Sequence, residues 1–137
     1  MRPSITFAAF DTARSGMGAY KLWLDAVADN VSNIDNVTST DQAAFKERFV
    51  LVTASEDANG QGTGVRVAGA AFGDPNGRVV FEPNHPLADA QGMVRRPDID
   101  LSDQMVYMQV AQRGYHANIN IFERAKEAYE AALSIGK

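Results

Sequence analysis

Apolar residues recur along the last third of the chain at alternating gaps of four and three. Leu101, Met108, Tyr115, Phe122 and Tyr129 fall seven apart, and Met105, Ile119 and Leu133 fill most of the interleaved positions. This heptad spacing predicts one helix over 98–135, roughly 55 Å long at about 1.5 Å per residue. Val106, Val110, Ile121, Ala125, Ala128 and Ala132 form a second stripe. Ile119 and Ile121 are two residues apart, which puts them on nearly opposite sides of a helix turning about 100° per residue. One neighbouring helix cannot cover both stripes. The helix either fills a broad core face of a small domain or packs between subunits.

A matching seam stands near the other end, where Ala13, Met17, Tyr20, Leu24, Val27, Val31 and Ile34 predict a helix over 4–34. Gly16 and Gly18 each cost roughly 1 kcal/mol relative to Ala, so the first turns are the weak part. Between the helices, the Asn-, Asp-, Ser- and Thr-rich stretch 33–43 reads as a loop that is mobile when free. Strands are predicted over 45–52, 64–72 and 78–81, with an Asn-Gly turn near 60 and an Asp74-Pro75-Asn76-Gly77 turn between the last two, giving a small hairpin or meander. Pro83 and Pro86 break regular structure, so 82–92 is expected as an extended surface loop and 93–97 as a lead into the final helix. Asp98 or Asp100 is expected to cap that helix, with Asp103 in its first turn and Gly136 as its C′ residue. The fold class is therefore α+β: two long antiparallel terminal helices, coiled-coil-like, with a small β insert. Residues 1–36 and 98–137 are expected to form the helical part, and 37–97 the loop and β part.

Composition narrows the functional classes. The 137 residues are 45% apolar and carry a net charge of −4 with no run of Lys or Arg, which argues against a nucleic-acid partner. With no cysteine, the chain has no disulfide, thiolate nucleophile or Cys-ligated zinc. The apolar run 5–10 is too short for a signal-peptide core and no window approaches a membrane span, so work outside the cytoplasm implies export without a cleaved signal.

Candidate chemistry is sparse. Asp98, Asp100 and Asp103 with His85 or His116 can be drawn as a metal or acid–base site, but acidic residues at a helix start are explained by capping, and neither histidine stands at a ligand spacing. Gly60, Gly62, Gly64 and Gly69 lack the Walker lysine and the strand-to-helix context, and no Gly-x-Ser-x-Gly elbow occurs. The reading is a non-enzyme without cofactor, metal or small-molecule substrate. The aromatic seam residues are packing groups.

Several stretches together resemble the flagellar basal-body rod proteins, and among them the C-type members of the proximal rod. The first helix ends Asp29-Asn30-Val31-Ser32-Asn33-Ile34-Asp35-Asn36, similar to that family's Asn-rich signature, with Asn30, Asn33 and Asn36 at its asparagine positions. The Gly-Val-x-Val run at 64–67 and the Phe81-to-Leu101 stretch, with His85, Pro86, Asp89 and Gly92, are similar to the C-type pattern. Met105-Val106, then Arg113, Tyr115 and Asn118, and the Ala-Leu-Ser-Ile-Gly-Lys ending are similar to the family's C-terminal motifs. Asp35, Thr38-Ser39-Thr40 and Phe45 depart from the usual residues. The resemblance implies a structural subunit of the bacterial flagellar rod whose terminal helices pack with those of neighbours into a helical tube that transmits torque. It implies partners that are copies of itself, other rod proteins and the flagellar type III export apparatus, and a place in the basal body.

Because the two heptad seams match, Met17, Tyr20, Leu24, Val27 and Val31 are expected to pair within the subunit with Leu101, Met108, Tyr115 and Phe122. Val110, Ile121, Ala125, Ala128 and Ala132 are expected to face other subunits, because small residues let a neighbouring helix approach closely. The alternative reading is an unrelated helical adaptor that binds one coiled-coil partner.

Overall fold

The computed structural model describes residues 5–135. Its order is α1 (Ile5–Asn33), β1 (Arg48–Glu56), β2 (Gly62–Phe72), β3 (Arg78–Phe81), β4 (Met93–Arg96) and α2 (Leu101–Ile135). Two helices and two small antiparallel sheets make a mixed α+β fold. Gly136, the expected C′ residue, lies outside the described residues. Two compact units divide the chain: Met1–Leu24 with Val50–Gly69 and Gln109–Lys137, and Asp25–Phe49 with Ala70–Met108.

In the first unit small residues let two helical segments approach. Ala13, Gly16 and Ala19 of α1 and Ala111 of α2 are buried. The Phe10 and Phe122 rings meet edge to face at 4.9 Å, and Phe7 meets Tyr129 at 5.9 Å. Such pairs add about 0.5–1.5 kcal/mol beyond the area they bury. Tyr20 packs its ring on Gly114, and Asn118 lays its amide on Gly16. Partner numbers on α2 fall as those on α1 rise, so the segments run antiparallel. The hairpin portion docks through Ser15, whose Oγ donates to Thr12 O at 2.8 Å and accepts from Val65 N at 3.1 Å. Gly64, with φ +121, sits where a Cβ would overlap that Oγ.

In the second unit the core gathers Ala26, Val27, Ala44, Val94, Pro97 and Ile99. β3 and β4 pair antiparallel with Arg78 opposite Arg96 and Phe81 opposite Met93. Thr38 and Arg95 exchange backbone hydrogen bonds of 2.9 and 2.8 Å on the other side of β4. The Arg95 guanidinium also donates to Thr40 O at 2.7 Å. The polar stretch after α1 is thus tied down at several points.

Three strand expectations need correction. β1 begins at Arg48, not Phe45, because residues 44–47 lie against the turn after β2 instead, with Gly73 N donating to Glu47 O and Ala44 N to Pro75 O, both at 2.8 Å. Of the expected hairpin or meander, β1 and β2 pair with each other as a hairpin would, but β3 does not join them and pairs with β4 in a separate two-stranded sheet. The Asp74–Gly77 turn redirects the chain between them: Asp74 Oδ1 accepts from Asn76 N at 2.8 Å, and Gly77 takes φ +55 beside Arg96 O and Ala44. Met93–Arg96, expected as a lead-in, is the partner strand of β3. Residues 82–92 are a chain of turns and not an extended loop, closed by Glu82 N donating to Gly92 O at 2.8 Å.

Candidate assembly surfaces

A polar cluster stands where the heptad reading expected apolar packing. In the second unit Asn30 and Gln104 are 1% and 0% exposed. Asn30 Nδ2 donates to Gln104 Oε1 at 3.0 Å and to Arg48 O at 3.0 Å, while Asn30 Oδ1 accepts from Arg48 N at 2.8 Å. One side-chain amide thus imitates a strand neighbour for the first residue of β1, with one bond each way. Gln104 Nε2 donates to Glu47 Oε1 at 2.6 Å. Burial pushes the Glu47 carboxyl above its usual value, against the lowering effect of the Gln104 bond. Every member has a partner, which lets amides stand in a core.

The burial pattern along α2 follows from this. Gln104, Met108, Ala111, Tyr115, Asn118, Phe122 and Ala125 are buried or half-buried, at gaps of four and three. Leu101, which opens the apolar heptad, is 50% exposed, and Met105 is exposed too. Pattern reading follows apolar residues, whereas the buried positions hold two amides and two alanines. On α1, Val27 is buried and Met17, Tyr20, Leu24 and Val31 are half-buried beside the innermost line of Ala13, Gly16, Ala26 and Asn30. Side-chain contacts bring Tyr20 to Gly114 and Phe10 to Phe122. A repeat of small and amide residues on both helices, scored alongside the large ones, would have found Gly16, Gly114 and Gln104.

The motif residues divide into builders and exposed groups. Asn33 Nδ2 donates to Asp29 O at 2.8 Å and so ties off the last turn of α1, and Asn36 N donates to Asn33 O at 3.0 Å. Asp89 organises the turn chain: Oδ1 accepts from Gln91 N and Met93 N, both at 2.9 Å, and Oδ2 accepts from Thr40 Oγ1 at 2.9 Å. The Met93 N–H is the main reason its carboxyl lies below the usual range. His85 Nδ1 accepts from Leu87 N at 3.1 Å. Gly92 takes φ +76 with no room for a Cβ beside Phe81 and Pro83. Pro86 and Arg113 are exposed, Tyr115 is half-buried, and Asn118 Nδ2 donates to Gly114 O at 2.8 Å.

The acidic group at the start of α2 serves the helix. Asp100 Oδ1 accepts from Ser102 N at 2.7 Å and Asp103 N at 3.2 Å, so Asp100 is the N-cap. Asp98 lies 3.7 Å from Arg78. Among the described residues no three His, Asp or Glu side chains are grouped to hold a metal, and no helix is long and apolar enough to cross a membrane.

What remains is apolar surface. Leu22, Leu51, Val52, Val67, Val110, Ile121 and Leu133 of the first unit are exposed, as are Phe72, Phe81, Leu101, Met105 and Val106 of the second. Of the residues expected to face other subunits, Val110, Ile121, Ala128 and Ala132 are exposed and Ala125 is half-buried. Where exposed apolar residues adjoin into a large patch, they mark a binding surface.

Comparison with known proteins gives these surfaces a context. The family described as flagellar basal body rod FlgEFG protein C-terminal matches residues 90–135. The flagellar basal-body rod protein FlgC of Yersinia enterocolitica is 34% identical over 128 residues, covering 93% of this chain and 96% of the relative. FlgC of Salmonella typhimurium is 35% identical over 129 residues with the same coverage, and FlgC of Bacillus subtilis 25% identical over 147 residues, covering 96% and 98%. Near-complete coverage at this identity extends the kinship through both helices and the strands between them, and the chain belongs to the FlgC family of flagellar basal-body rod proteins.

Proposed function

We propose that the chain is a structural subunit of the flagellar basal-body rod, in its proximal part, which assembles with copies of itself and with other rod proteins into a helical tube. The tube transmits torque from motor to hook, and the subunit catalyses nothing. The observation that carries this is the end-to-end similarity to FlgC proteins, joined to apolar residues left uncovered on both helices. Residues 1–36 and 98–137 pack as an antiparallel, coiled-coil-like pair into the rod wall, and 37–97 form its outer surface; the Phe10–Phe122 and Tyr20–Gly114 contacts support the pairing. The subunit reaches the basal body through the flagellar type III export apparatus without a cleaved signal, and it takes no nucleic acid, cofactor or small-molecule substrate. Epitope-tagged chain, expressed in cells lacking the untagged copy, is expected in purified basal bodies at the rod by electron cryomicroscopy. Its absence from the axial structure, with motility intact, would overturn the reading.

A further inference from the structure

The first unit holds an apolar pocket of about 280 Å³ lined by Ala19, Tyr20, Trp23, Val50, Val52 and Val65. A cavity of about 150 Å³ takes a benzene, so this one has room for a branched aliphatic side chain and part of a second group. Tyr20 and Trp23 stack at 6.1 Å to form one wall. Val50 and Val52, two apart on β1, and Val65 on β2 form another, and alternation puts Val67 on the same strand face as Val65. Rigid aromatic walls around a cleft are what interface hot spots are made of.

The same unit carries a matching projection. From Lys126 to Ile135 every residue of α2 is exposed, including Leu133 and Ile135, the latter 86% exposed. This end cannot fill the chain's own pocket. Tyr20 packs at Gly114, and Leu133 lies nineteen residues farther along a continuous helix, roughly 28 Å away at about 1.5 Å per residue. A Leu133 side chain seated in such a pocket therefore sits in the pocket of a second copy of this chain. A projection on one part of a subunit that enters a cleft on another makes a head-to-tail contact, which propagates as an open helix when the rotation does not close.

We infer that the pocket between α1 and the β1–β2 strands receives the C-terminal end of α2 from a second copy of this chain, with Leu133 as the inserted side chain. This rests on the rod-subunit reading and names the contact through which copies join. The absence of cysteine makes the test direct. Two tagged versions, Leu133→Cys and Val52→Cys, are co-expressed in the cell and basal bodies are isolated under mild oxidation; both positions are exposed, so both versions fold. A disulfide-linked dimer containing one of each is expected. Leu133→Cys with Val79→Cys, exposed on β3, is expected to give none. A second arm uses charge: Leu133→Asp and Val52→Lys are each expected to lose rod incorporation, and cells carrying both changes in one chain to regain it. Incorporation of both cysteine versions without the 133–52 dimer, or equal dimer from the Val79 control, overturns the contact and leaves the rod reading standing. Absence of every version, unsubstituted chain included, from the basal body overturns both.

Discussion

Gly16 and Gly114 show how single residues set the distance between two helices. A Cβ at Gly16 would overlap the Asn118 amide, and one at Gly114 would overlap the Tyr20 ring, whereas Gly18 has open space around it. Read from the sequence, Gly16 and Gly18 carry the same helix penalty; the structure separates them. Gly16→Ala and Gly114→Ala are each expected to lower stability by about 1–3 kcal/mol through overpacking, while Gly18→Ala raises it by about 0.4–1 kcal/mol, all read as shifts in urea midpoint at constant m. Equal responses at 16 and 18 would remove the packing argument. Asn30 is the other decisive residue. Asn30→Leu strands Arg48 N and O and the Gln104 amide, and is expected to cost about 2–4 kcal/mol and to speed amide exchange at the start of β1. Apolar periodicity cannot reveal this residue, since its value lies in hydrogen bonds to positions 18 and 74 residues away.

At the scale of elements, titration separates the pieces. Asp100, held low chiefly by the Asp103 N–H and then by Ser102 at the α2 cap, and Asp89, held low by the Met93 N–H in the turn chain, bind a proton less readily folded than unfolded. Their contribution is complete above the unfolded Asp value of about 3.9 and disappears as pH falls through the lower folded values. Glu47 runs the other way. Burial raises it, so its contribution is present below the ordinary Glu value and is lost as pH rises through the folded one. Asp89→Asn is therefore expected to be less stable than the parent at neutral pH, with the gap closing below about pH 4. Glu47→Gln keeps an oxygen for Gln104 and is expected to gain on the parent at neutral pH and not at acid pH. Urea midpoints from acid to neutral pH check both signs. The long helices and the Asp74–Gly77 turn were legible because their signals are local and repeated. β4 was not: Met-Val-Arg-Arg has no alternation to speak of, and it becomes a strand because β3 and Thr38 flank it.

For the whole molecule the decisive question is which sides of α2 serve the subunit and which serve the rod. Phe122 and Ile121 are adjacent in sequence but differ in surroundings: the Phe122 ring is half-buried against Phe10, whereas Ile121 is exposed. Adjacent residues on a helix lie about 100° apart, so one neighbour can cover one of them and leave the other open. Phe122→Ala removes an aromatic pair and opens a gap; because the ring is only partly covered, the expected cost to the isolated subunit is about 1.5–3 kcal/mol, below that for a fully buried ring. Ile121→Asp costs the isolated subunit little, since exposed substitutions usually stay within about 0.5 kcal/mol. In a rod where a neighbouring helix covers position 121, the same change buries an unpaired carboxylate, which a dry interface does not tolerate. Ile121→Asp is accordingly expected to give a subunit with parental urea midpoint and no assembled rod, and Phe122→Ala a destabilised subunit that still assembles at low temperature. Normal rods and swimming with Ile121→Asp would move the interface off that face, toward the exposed Leu101 and Met105 side of the helix.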